Sequence, residues 1–71
     1  MPELGATLAA LEMAIQTEID GFAFYQTFAE RTQDANAQAM FRQLAEDEVA
    51  HLELLREAKA ALERDGRWSR Y

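Results

Sequence analysis

The chain has 71 residues, enough for one small domain with a marginal hydrophobic core. It contains no cysteine, which excludes disulfides, zinc–thiolate sites and iron–sulfur clusters. Thirteen acidic residues against seven basic ones give a net charge of −6, which argues against nucleic-acid binding. A domain this small usually needs a disulfide, a metal ion or a partner subunit, so a metal and self-association remain.

Residues 3–31 are predicted to form the first of two long helices. Pro2 followed by Glu3 suits a helix start, because proline needs no hydrogen-bond donor there and an acidic side chain favours the positive end of the helix dipole. In the helix interior Gly21 costs about 1 kcal/mol relative to alanine. It would also let another helix approach closely.

Residues 32–34 form the break between the two helices, and Asp34 is the expected N-cap of the second one. This second helix is predicted over residues 35–65, with Gly66 as its stop and a short tail over 66–71. A loop this short makes two long helices antiparallel neighbours. The predicted fold class is therefore all-α: a two-helix hairpin that occupies the whole chain as a single domain.

One face of each helix is apolar apart from four polar positions. On the first helix this face contains Leu4, Leu8, Leu11, Ile15, Glu18, Phe22, Tyr25 and Ala29. On the second helix it contains Ala37, Phe41, Leu44, Glu48, His51, Leu55, Ala58 and Leu62. The four polar interruptions are therefore the candidates for function.

Three of these interruptions are predicted to lie in one layer. Glu18 and Glu48 are roughly 24 Å and 21 Å from the turn at 1.5 Å per residue, and His51 follows Glu48 on the same face. Burying unpaired carboxylates costs several kcal/mol each, and neither face carries a lysine or arginine to offset this. We therefore predict that the three residues bind a divalent cation. A hydrogen-bonded core cluster without metal is the alternative.

One hairpin supplies two carboxylates and one imidazole, too few to complete a site. Di-metal sites in four-helix bundles use a Glu from each of two helices and a Glu-x-x-His from each of the other two. Two copies of the chain supply that set, so we predict a homodimer with the site at its interface. Further apolar side chains outside the two faces predict association beyond a dimer. They are Met13, Ile19, Phe24, Phe28, Met40, Leu52 and Leu54.

This pattern resembles the rubrerythrin branch of the ferritin-like di-iron superfamily. The resemblance runs over residues 14–58, through Glu18, the run 22–25 and the run 46–51. The single short hairpin looks most like the two-helix encapsulated ferritins, which carry half of a ferritin bundle per chain. Those proteins share the Glu, a following Tyr and the Glu-x-x-His, and their fold is a hairpin that dimerises into a ferritin-like four-helix bundle.

The resemblance implies a ferroxidase that oxidises Fe(II) to Fe(III), for iron storage or detoxification. It assigns iron ligation and catalysis to Glu18, Glu48 and His51, with two iron ions per dimer, and it implies a ring of subunits. Oxygen ligands with imidazole suit iron and manganese, and zinc would also bind tightly.

Three further residues are candidates for supporting roles near the predicted ligands. Tyr25 would support the ligands from beside them, or serve only as an interface aromatic. Asp47 lies one turn before His51 and would accept its ring proton, or belong to the solvated acidic face. Asp20 stands where encapsulated ferritins carry a second acidic cluster, so it is the candidate for a secondary metal site or for the point where iron enters.

The alternative functions are a rubrerythrin-like peroxide-reducing di-iron protein and a metal-free helical dimerisation module. We expect a cytoplasmic protein, either free or inside an encapsulin nanocompartment with the encapsulin shell as its partner. No cargo peptide for such a shell is recognisable in residues 65–71. No membrane association is expected, because no apolar run approaches about 18 residues.

Overall fold

The computed structural model describes residues 3–66 and contains two antiparallel helices, which confirms the predicted all-α hairpin. Helix α1 spans Leu4–Arg31 and helix α2 spans Ala35–Asp65. Together they form a rod of 47 × 19 × 17 Å. Pro2 and the predicted tail beyond Gly66 lie outside the described residues.

Local hydrogen bonds fix where α2 begins and ends. The side chain of Asp34 accepts a hydrogen bond of 2.9 Å from the backbone N–H of Ala37, so the predicted N-cap is confirmed. At the other end Gly66 adopts a left-handed conformation with φ of 69°, and its N–H donates to the carbonyl of Leu62. Glycine adopts this conformation without the steric cost that a Cβ would impose, so α2 stops there.

The interface between the helices is narrow and built largely from small side chains. The buried residues are Leu11, Ala29, Ala45, Ala58, Ala61 and Leu62. Within residues 3–66 no large side chain is completely buried, and no polar or charged residue falls in the buried class. Because hydrophobic stabilisation follows the apolar area removed from water, the hairpin alone gains little from this core.

Many large apolar side chains remain exposed on the hairpin. They are Leu4, Met13, Ile19, Phe24, Phe28, Met40, Val49 and Leu54. Most of the apolar residues predicted to lie outside the two faces are in this group, while Leu52 is half-buried. Neither helix in the described residues combines the length and the apolarity needed to cross a membrane. Association of the hairpin through these side chains stays a prediction.

Candidate metal centre

Glu18 on α1 meets Glu48 and His51 on α2 near the middle of the hairpin. Each of the three offers one ligand atom, and these atoms all lie within 4.8 Å of one another. The imidazole Nδ1 of His51 is 3.5 Å from Oε2 of Glu18 and 3.8 Å from Oε1 of Glu48. The structure therefore brings together the three residues that the sequence places in one layer, and their role as ligands stays a prediction.

The cluster is closed on the side of the carboxylates and open on the side of the imidazole. The side chains of Glu18 and Glu48 are 22% and 18% exposed, whereas that of His51 is 56% exposed. The sequence pattern places His51 on the face that packs against α1, but the structure places it at the rim of that face. The cluster therefore faces a surface that a second molecule can cover.

The two carboxylates are not neutralised by the rest of the hairpin. Oε2 of Glu18 is buried and has no hydrogen-bond partner among the described residues. The pKa of Glu48 is raised above its ordinary value, first because the Glu18 carboxylate can accept a hydrogen bond from protonated Glu48, then by burial and by the negative charge of Glu18. Within residues 3–66 the ion pairs of lysine and arginine involve other acids. A bound cation would supply the missing positive charge.

The chemistry of these donors fits a divalent transition metal. Two carboxylates and a neutral imidazole provide hard oxygen and borderline nitrogen atoms, the set that iron, manganese and zinc accept. The unpartnered oxygen of Glu18 is directed into the cluster, at 3.5 Å from the imidazole nitrogen of His51. The residues therefore fit iron, which the sequence resemblance implies.

Tyr25 is half-buried on the same face of α1, between the cluster and the loop. Its ring packs edge-on against Phe24 at 5.5 Å and stacks with Phe41 at 6.4 Å between ring centroids. Phe28 lies 5.7 Å from Phe41, which extends the aromatic group towards the loop. These aromatic contacts are compatible with the prediction that Tyr25 is an interface aromatic. Its role as a support beside the ligands stays a prediction.

The two aspartates predicted to assist the site form hydrogen bonds along their own helices. The carboxylate of Asp47 accepts a hydrogen bond of 3.0 Å from Gln43, one turn earlier on α2. That of Asp20 accepts one of 2.9 Å from Gln16 on α1. Both aspartates are exposed, so the contact of Asp47 with His51 and the metal role of Asp20 gain no support from these bonds.

A groove between the helices is separate from the cluster. It has a volume of about 390 Å³ and lies between Phe22 and Ala29 of α1 and Arg42 and Val49 of α2. None of the three predicted ligands lines it. Its charged lining residues are Glu30, Arg42 and Glu46, so the groove combines one cationic side chain with two anionic ones.

Comparison with known proteins gives one finding. The family model described as Rubrerythrin matches residues 9–70, which include α1 from residue 9 onward, all of α2 and all three residues of the cluster. No curated protein and no solved structure gives a significant match.

Proposed function

The chain belongs to the rubrerythrin family, and from this membership we propose that it is a ferroxidase whose di-iron site forms between two copies of the chain. The family is one of ferritin-like di-iron proteins, and the hairpin contains a group of residues able to hold a metal. One observation carries the proposal: Glu18, Glu48 and His51 converge within 4.8 Å, and a buried oxygen of Glu18 has no hydrogen-bond partner within residues 3–66.

The ligand count supports a site shared between two molecules. A hairpin offers three ligating side chains, whereas di-metal sites in four-helix bundles take four Glu and two His side chains. Two hairpins related by a twofold axis would supply this set, because every ligand is then present twice. The open side of the cluster, where His51 is 56% exposed, is where the second hairpin would bring its own ligands.

The apolar surface near the cluster supports the same arrangement. Gly21 faces Glu48, and Phe24 and Phe28 follow it at helical spacing, so all three lie along one side of α1. Phe24 is 54% exposed and Phe28 is 39% exposed, with 4.6 Å between their ring centroids. Met40 on α2 is 58% exposed. A second copy would remove these side chains from water while it completes the ligand set.

Two Fe(II) ions are the substrates of the proposed reaction. Each gives up one electron, and the pair of electrons reduces one O₂ to hydrogen peroxide, or one hydrogen peroxide to two waters, with two protons taken up. The carboxylates of Glu18 and Glu48 favour the more highly charged Fe(III) product. Metal binding requires ionised carboxylates, so Fe(II) competes with protons for Glu48, whose pKa the neighbouring Glu18 raises. The protein thus supplies placement and electrostatics.

The Fe(III) product of this reaction must be stored or released. A rod of 47 × 19 × 17 Å encloses no storage cavity by itself. We therefore propose iron storage or detoxification in the manner of an encapsulated ferritin, with a higher, ring-like assembly of the dimer and an encapsulin shell as the partner. The exposed apolar side chains outside the proposed dimer surface, such as Ile19 and Val49, support association beyond the dimer.

Oxygen consumption tests the proposed reaction. Fe(II) is added to the metal-free protein and dissolved O₂ is followed, with Glu18→Gln as the test variant. Glu53→Gln is the matched control, because it removes the same charge from an exposed position of α2. The wild type and the control should consume O₂ and the test variant should not. Equal rates in all three proteins would refute the assigned site.

Dilution tests the shared site. If each chain carries half of the ligands, the apparent affinity for Co(II) must rise with the concentration of chain, because two chains are needed for each site. A site completed within one hairpin would give an affinity independent of chain concentration. Co(II) is suitable here because it binds such ligands and is stable in air.

The family membership also favours a second function, peroxide reduction. A peroxide-reducing protein would react faster with hydrogen peroxide than with O₂ and would need a separate source of electrons, since this chain has no cysteine to hold an iron–sulfur electron carrier. Comparing the two oxidants at equal concentration separates these functions. A metal-free dimerisation module is distinguished by native mass spectrometry, where the dimer would form equally well in chelator and carry no metal.

A further inference from the structure

Gly21 occupies an unexpected place in α1. It lies in the interior of the helix, where glycine is less favourable than alanine. The glycine with a positive φ in the described residues is Gly66, so the backbone at Gly21 has a conformation open to any residue. Backbone geometry therefore does not explain this glycine, and the space beside it must be considered.

The space beside Gly21 is taken by the side chain of Glu48. A Cβ built on Gly21 would stand 3.0 Å from Oε2 of Glu48, 3.4 Å from its Cδ and 3.8 Å from its Cγ. Gly5, in the first turn of the same helix, gives a contrast: a Cβ there would meet nothing nearer than Oε1 of Glu3, at 3.7 Å. The first distance is shorter than ordinary van der Waals contact, and the second is ordinary.

We propose that Gly21 is a positioning residue for Glu48: its missing Cβ leaves a notch in α1 that lets the Glu48 carboxylate reach the layer of Glu18 and His51. The inference rests on the proposed function, because it concerns the same metal ligands. The two oxygens of Glu48 divide between the notch and the cluster. Oε2 lies against Gly21, and Oε1 lies 3.8 Å from the imidazole of His51.

A methyl group at residue 21 would displace this carboxylate by a few tenths of an ångström. Metal–ligand distances are held within about 0.2 Å in well-formed sites, so a shift of this size matters for binding. The displaced group is the free end of a flexible side chain, so the helix itself need not distort. Gly21→Ala should therefore weaken metal binding and at the same time strengthen α1.

These opposite effects define the test. Wild type, Gly21→Ala and Gly5→Ala are titrated with Co(II), followed by its visible absorption, and each is melted in chelator and in Co(II). Gly21→Ala should bind Co(II) about tenfold more weakly, the loss typical of residues that orient metal ligands. Its melting temperature in chelator should rise. Gly5→Ala adds the same methyl to the same helix and should leave the Co(II) affinity unchanged.

Each other outcome is decisive. Equal affinity of Gly21→Ala and wild type would overturn the notch while leaving the proposed function intact. An equal loss in Gly5→Ala, or a lower melting temperature of Gly21→Ala in chelator, would also overturn it, because the loss would then come from the helix as a whole. A wild type that binds no Co(II) would remove the proposed function and the notch together.

Discussion

Replacing Glu18 by glutamine should make the metal-free protein more stable, although it removes a predicted ligand. Glutamine has nearly the same shape as glutamate and lacks its charge, and its amide can donate a hydrogen bond to Glu48. The repulsion that it removes follows from the geometry. At the 4.8 Å limit of the cluster, two negative charges repel by about 1 kcal/mol in water and about 3 kcal/mol at an effective dielectric constant near 20.

Both carboxylates are largely shielded from solvent, so the gain should lie between these limits. For a chain of this size each kcal/mol corresponds to about 4–8 °C in melting temperature. Glu18→Gln should therefore melt at least about 4 °C above the wild type in chelator. Co(II) at 1,000 times its Kd should reverse the order, because it adds about 4.1 kcal/mol to a protein that binds it and nothing to one that does not.

Circular dichroism at 222 nm, at one fixed chain concentration, measures all four melting temperatures. Glu53→Gln is again the control: it removes the same one negative charge from an exposed site and should change stability by no more than about 0.5 kcal/mol. The reasoning is refuted if Glu18→Gln melts below the wild type in chelator, since Glu18 would then stabilise the metal-free hairpin instead of destabilising it.

Three further predictions concern the cap, the pH dependence and the proposed dimer surface. Asp34→Ala should lower the free energy of unfolding in chelator by about 1 kcal/mol, measured with urea, whereas Asp34→Asn should keep most of it. In the folded state the pKa of Glu48 lies above its ordinary value of 4.5, so the folded state binds this proton more tightly than the unfolded state does. In chelator the contribution of Glu48 to stability is therefore largest below pH 4.5 and is lost as the pH rises through the raised pKa. The urea midpoint of Glu48→Gln should lack this part of the pH dependence. An identical dependence of the urea midpoint on pH in wild type and Glu48→Gln would contradict the prediction. Phe24→Ser should weaken the dimer in sedimentation experiments without loss of helix, while Ile19→Ser, beside Glu18 but off the surface of Phe24, should have the smaller effect.

The sequence predicted the hairpin because its signals are local. Asp34 and Gly66 mark the ends of α2 through contacts within one helical turn, and each is found in that role. The layer of Glu18 and Glu48 was also predictable. In an antiparallel pair with a short loop the height of a residue follows from its distance to the turn, at about 1.5 Å per residue.

Features that depend on the angle around the helix were harder to predict. His51 belongs to the same apolar pattern as Ala58 and Leu62, which are buried, so spacing alone does not predict that His51 lies at the rim. Asp47 faced two partners at four-residue spacing, and the structure pairs it with Gln43 on one side rather than His51 on the other. Spacing alone offers no reason to choose between Gln43 and His51 as the partner of Asp47.

The notch at Gly21 depends on the rotamer of a side chain from the other helix, which no spacing rule contains. The only sign in the sequence was a glycine in a helix that would have been better served by alanine, and we expected another helix beside it. The neighbour is instead the end of one carboxylate, at 3.0 Å from where a Cβ would stand. A glycine whose backbone conformation does not require glycine, and which lies opposite a predicted ligand, therefore indicates a positioning role.

The thin core and the unneutralised carboxylates have one physical origin. A two-helix hairpin has no third or fourth helix to cover its open side. Apolar side chains such as Phe24 therefore stay exposed there, and a buried oxygen of Glu18 has no partner in the part of the chain that the structure describes. In the proposed dimer one event removes both defects, because the second hairpin covers the apolar surface while its ligands and the metal neutralise the acids. Metal binding, dimerisation and folding are then linked by mass action, and iron that binds only the assembled state must itself drive assembly.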